Sequence, residues 1–208
     1  MSNSPRQSGF TLIEVAIVLV VLGSLFVGIM KGMLLVDSAR AKRLADDFRN
    51  IPVYITAYYD HYRTFPGDDI KAATTFAGGI SGNGNGVIDG NWNDLTGEPF
   101  ELWQDLRMAN LIPGYVSDSP PTNAAGGRMG VTSATHSPIT GMKGAYVFCS
   151  DGIRGDIAKQ LDFMLDDGHT DTGAMRVTGV GTISGGTAIP IDSIQDAQTY
   201  LVCMGYDG

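Results

Sequence analysis

Apolar positions change their rhythm twice along the chain. From Val15 to Met30, sixteen consecutive residues are apolar or small. As an α-helix rising about 1.5 Å per residue, Phe10 to Met30 would reach roughly 30 Å, the thickness of a bilayer core. Such a run is apolar on every face, which argues against the core helix of a soluble domain. From Leu34 onward a stripe replaces the run: Leu34, Ala41, Leu44, Phe48, Ile51, Ile55, Tyr58 and Tyr62 recur mostly at steps of four and three. Arg40, Lys42, Arg43, Asp46, Asp47 and Arg49 fill the other faces, so the pattern predicts an amphipathic continuation of the same helix. Pro52 lacks an amide and predicts a bend near Phe48. Pro66 and Gly67 in "RTFPGDD" predict the end of the helix.

The remaining two thirds reads as short elements. "GEPFELWQDLRMANLIPG" predicts a helix with Phe100, Leu102, Trp103, Leu106, Met108 and Leu111 on or near one face, ended by Pro113 and Gly114. "GAYVFCSDG" and "TYLVCMGYDG" predict strands bounded by turns, with a helix, "DIAKQLDFMLDDG", between them. Ser117 to Lys143 is rich in Gly, Ser, Thr and Pro without a clear period and predicts a long surface loop. The expected fold class is α+β, a small antiparallel sheet packed on the long N-terminal helix.

Composition narrows the field. The 208 residues accommodate one compact domain with an appended element. A formal charge of −8 disfavours attraction to a phosphate backbone, so no specific nucleic acid partner is inferred. The 28 glycines and a charged fraction of only 17% fit a body rich in turns, with long helix confined to one part of the chain.

Glu14 stands at the head of the apolar run. A carboxylate entering hydrocarbon costs about 3 kcal/mol on insertion scales and calls for a partner. The surrounding "SGFTLIEVAIVLVVLGSL" resembles the class III signal of type IV prepilins and type II secretion pseudopilins, with Gly9, Phe10, Thr11, Leu12, Ile13 and Glu14 agreeing in order and spacing. "YYDHYRTFPGDD", "GNGNGVID", "LWQDLRMANLIPG" and "KQLDFMLDDGHTDTG" also resemble segments of a group of prepilin-like proteins.

The resemblance implies cleavage between Gly9 and Phe10 by prepilin peptidase and methylation of the new Phe10 amine. It implies assembly, through Phe10 and Glu14, into a helical homopolymer in which the amine of one subunit meets the carboxylate of a neighbour; the alternative is an interfacial Glu14 without a partner. The expected organisation is a leader over 1–9, a membrane-spanning and polymerising segment over 10–33, an amphipathic half-helix over 34–64, and a globular head over 65–208. Membrane lipid surrounds the first helix before assembly, and an inner-membrane assembly platform with its ATPase is the implied machinery. The implied location is the inner membrane first, then a periplasmic or extracellular filament. In assembled filaments of this family the helix can lose regularity, which implies local melting at Gly23, Gly28 and Gly32. A type II secretion pseudopilin or a minor pilin shares every feature of this helix.

Cys149 and Cys203 lie in the two predicted strands. In an exported protein the periplasm oxidises such a pair, so a disulfide is expected; two buried free thiols are the other reading. Type IV pilins often close their C-terminal region in this way, whereas most major pseudopilins do not, and that tilts the choice toward a pilin.

"SGNGNGVIDG" fits the spacing of a calcium loop: Ser81, Asn83 and Asn85 at the first three ligand positions, Gly86 at the turn, the Val87 carbonyl, and Asp89. Ser replaces the expected first Asp, and Trp92 stands where a bidentate Glu belongs. Asp94, Asp68 or Asp69 would have to complete the shell. A Gly/Asn turn held by side-chain to backbone bonds is the competing reading. Calcium is the only cofactor that any motif invites.

Nothing in the chain reads as an enzyme. His61, His136 and His169 are isolated, and neither a G-x-S-x-G nucleophile motif nor a phosphate loop occurs. The adjacent Asp166 and Asp167 read as a solvated helix end.

Overall fold

The structure, a computed structural model, describes residues 11–207; the predicted leader, Gly9 and Phe10 lie outside the described residues. Helix α1, Leu12–Tyr62, carries the boundary between two compact units, the first ending at Ala39 and the second beginning at Arg40.

In the first unit the described part is helix alone. Thr11 starts it: its Oγ1 accepts the Glu14 amide at 3.3 Å and its carbonyl accepts the same amide at 3.1 Å. Thr11-x-x-Glu14 therefore has the residue types and spacing of a capping box. Helical geometry continues unbroken through Gly23, Gly28 and Gly32.

The second unit starts with the amphipathic part of α1 and continues through α2 (Ala72–Thr75), α3 (Glu98–Met108), β1 (Met129–Ser133), β2 (Tyr146–Arg154), α4 (Gly155–Leu165), β3 (Met175–Gly179) and β4 (Thr199–Tyr206). The strands form one antiparallel sheet in the order β1-β2-β4-β3. Strand alternation divides the core in two. Tyr146, Phe148, Tyr200 and Val202 share a cluster with Ala41, Leu44, Phe48, Ile51, Ile55 and Tyr58 of α1, and with Leu102, Trp103 and Leu106 of α3. Phe48 meets Phe148 edge-on with centroids 4.9 Å apart. Val147, Cys149, Leu201 and Cys203 point the other way, onto Trp92, Ile139 and Met142. Both faces of the sheet are thus covered, which explains the unbroken apolar runs Tyr146–Cys149 in β2 and Tyr200–Met204 in β4. At its end α1 stops in a left-handed residue, Arg63 with φ 61°, just ahead of Pro66.

Two strands escaped the sequence reading. β1 lies inside Ser117–Lys143, predicted as a loop, and all five of its residues are buried. Its second position, Gly130, faces Trp92 so closely that a Cβ there would sit 1.7 Å from the Trp92 carbonyl oxygen. A strand that needs glycine for a close backbone approach loses its β-propensity signal. β3 is similarly short and lies beyond an irregular turn.

Candidate functional site

The described part of the first unit presents an uncovered apolar surface. Leu12 is 92% exposed, Val20 72% and Phe26 67%, and the neighbours around the helix are exposed as well. Among the described residues this is the helix long and apolar enough to cross a membrane. Glu14 lies in its first turn, exposed, with Val15, Val18 and Leu19 around it. Phe10, its expected partner from a neighbouring subunit, falls outside the described residues.

Cys149 and Cys203 face each other directly across β2 and β4 and are joined by a disulfide, with Cα atoms 4.1 Å apart. Both are fully buried against Trp92. The bond closes 54 residues of chain and ties the C-terminal strand to the centre of the sheet.

The 81–89 loop is organised by carboxylates from outside it. Asp68 Oδ1 accepts the amides of Gly84 and Asn85 at 2.7 and 3.1 Å, and its Oδ2 accepts that of Gly86 at 2.8 Å. Glu98 accepts the amides of Asn83 and Asp89 at 3.1 and 2.7 Å. The predicted ligands are engaged with each other: Asn83 and Asn85 each donate Nδ2 to Asp89 Oδ2 at 2.8 Å. Their Oδ1 atoms accept the amides of Asn85 and Val87. These donated hydrogen bonds hold the Asp89 carboxyl below its usual range. Ser81 Oγ accepts the Ala73 amide instead, and Asp94 accepts that of Asn91. The geometry has the form of the Gly/Asn turn, with Ile88 docked onto β1 through Ser133 Oγ at 2.7 Å.

The same device recurs through 64–98, where regular structure is sparse. Asp69 accepts the Tyr58 hydroxyl at 2.9 Å and the Lys71 amide at 2.8 Å, and Asp105 accepts the Gly67 amide at 2.7 Å. Asp68, Asp69, Glu98 and Asp105 are all buried, so carboxylates satisfy amides that no helix or sheet ladder reaches. Burial pushes the Asp105 carboxyl up to about 7, the Gly67 hydrogen bond pulls it back, and Asp69 and Glu101 raise it further. Asp68 and Asp69 were legible as acids beside the loop; Glu98 and Asp105 were not, because they lie on α3 and join only through the fold.

Residues 4–30 match the family described as Prokaryotic N-terminal methylation motif. No curated protein matches the chain. The motif marks the class III signal of type IV pilins and pseudopilins, and the long N-terminal helix with its antiparallel sheet is an α+β, pilin-like fold. Motif and fold together point to a structural protein and to a pilin-like or pseudopilin precursor, and the apolar helix fits insertion into a membrane.

Proposed function

We propose that the chain is a structural subunit of a type IV pilus-like filament. Prepilin peptidase cuts after Gly9, Phe10 becomes the methylated N-terminus, and its ammonium pairs with Glu14 of an adjacent subunit. Two such charges about 4 Å apart attract by about 4 kcal/mol at an effective dielectric near 20, comparable to the cost of taking the carboxylate into hydrocarbon. The pair would therefore set the register between subunits.

The observation that carries the reading is the helix surface from Val15 to Met30, apolar or small around its circumference and exposed at every residue whose side chain is described. Lipid can cover it before assembly and like helices can cover it afterwards. Because lipid is as apolar as a helix bundle, transfer between them is nearly neutral in apolar burial. Assembly machinery, a platform and ATPase, can then drive extraction without working against the hydrophobic effect. The Cys149–Cys203 bond favours a pilin over a major pseudopilin of type II secretion.

The test is a Glu14→Gln variant expressed in the native host. It should insert and be processed but yield no filaments; normal filaments would remove the charge pair from the mechanism.

A further inference from the structure

The C-terminal end of α4 brings three carboxylates together. Asp162, Asp166 and Asp167 each place one oxygen within 4.8 Å of the others. Asp162 and Asp166 stand four residues apart, on one face of the helix end, and Asp167 follows where the chain leaves it.

Asp162 sets this cluster apart from an ordinary acidic helix end. It is fully buried, and neither carboxylate oxygen has a hydrogen-bond partner among the described residues. Burial, followed by the charges of Asp166 and Asp167, pushes its carboxyl up to about 6. The amides of Gly168 and His169 lie near it and offset part of that rise without completing a hydrogen bond. Buried polar groups are nearly always satisfied, so two orphaned oxygens, one of them within 4.8 Å of two further carboxylates, require an explanation.

The other two acids are held in place. Asp166 Oδ2 accepts the Met175 amide at 2.7 Å, and Asp167 accepts the His169 amide and the Thr172 hydroxyl at 2.9 Å each. A carboxylate has about four acceptor sites, so both retain lone pairs. No Lys or Arg forms an ion pair with any of the three among the described residues. Asp166 is half-buried and Asp167 exposed, which leaves a route from solvent.

We propose that Asp162, Asp166 and Asp167 bind a calcium ion. Calcium takes oxygen ligands at about 2.4 Å, so two ligands of one ion stand at most about 4.8 Å apart, a limit this cluster meets. The donor set is all carboxylate, which selects a hard cation. Three acids on a helix end and the irregular turn that follows it, with water completing the shell, suit calcium better than magnesium, which demands a tight octahedron. The ion would fasten the end of α4 to the start of β3 through the Asp166–Met175 bond. This site is separate from the 81–89 loop and does not depend on the filament reading.

Calorimetric titration of CaCl2 into the chelator-stripped full chain in detergent tests the proposal. Wild type should bind one ion with a dissociation constant of about 0.1 to 1 mM, the range of extracellular calcium modules. Asp162→Asn and Asp167→Asn should each weaken binding at least about tenfold, whereas Asp89→Asn should bind as wild type does. Asp167 is exposed, so its variant reads the site even where the buried substitution disturbs folding. No binding up to about 10 mM, or binding lost in Asp89→Asn and kept in Asp162→Asn, would overturn it.

Discussion

The Tyr206 hydroxyl donates a 2.6 Å hydrogen bond to the Phe48 carbonyl oxygen. Phe48 lies four residues before Pro52, so this is the carbonyl that loses its helical donor when position 52 has no amide. The last residue of β4 thus supplies the donor the helix lacks, and two positions 158 residues apart are joined where the proline interrupts the helical ladder. Burial pushes the Tyr206 phenol upward, so it remains a donor across the physiological range.

Tyr206→Phe should destabilise the head by about 1 kcal/mol, the net worth of one hydrogen bond, or more because the carbonyl is left partly buried. In a Pro52→Ala background the helix regains its own donor, and the same substitution should cost less. Thermal melts followed by fluorescence of the buried Trp92 and Trp103 in the four chains of this cycle measure the coupling. Additive effects would separate the two residues.

Removing the disulfide with Cys149→Ser and Cys203→Ser should lower head stability by about 4 kcal/mol, by the loop-closure argument for a crosslink of this span. Melting the oxidised and reduced chains side by side checks this. Equal melting temperatures would show that the sheet holds the C-terminal strand unaided.

Asp105 makes the head sensitive to pH in an uncommon direction. Its carboxyl, near 3.8 when unfolded, is raised to about 7 in the fold, so between those values the folded state binds more protons than the unfolded chain. Stability should therefore be highest at the acid end of that window, fall as pH rises through it, and level off above about 7. Asp105→Asn keeps an oxygen for the Gly67 amide and removes the titration. The variant should gain on wild type between pH 5 and pH 8 in melts across about 3 pH units; parallel curves would contradict the assignment.

Gly130→Ala should lower stability by about 3 kcal/mol, because the new methyl meets the Trp92 backbone rather than a side chain that could swing away. Circular dichroism melts measure it, and a neutral outcome would mean that the turn closed by the Asp94 amide on the Asn91 carbonyl yields easily.

How far each feature could be read from the residues depended on how locally it is encoded. The stripe of α1 is a property of neighbouring turns, and Ala41, Leu44, Phe48, Ile51, Ile55 and Tyr58 are all buried as their spacing predicts. Two strongly apolar strands were equally visible, and with them the cysteines. β1 was hidden because Gly130 replaces side-chain packing with backbone contact. The 81–89 loop showed its Asn and Asp spacing, but its organising acids, Asp68 and Glu98, come from separate segments. Tyr206 and Phe48 meet only once the sheet closes on the helix, and the seclusion of Asp162 becomes visible only with the fold. The "DDG" of Asp166 and Asp167 reads as a solvated end because its buried third member stands a full turn earlier.

In the proposed filament subunit an amine made by proteolysis heads the polymerising helix. Intact-mass measurement of the chain recovered from membranes and filaments of the native host tests it most directly. Loss of residues 1–9 and one added methyl group on Phe10 are expected. A chain that keeps its leader in assembled material would contradict it.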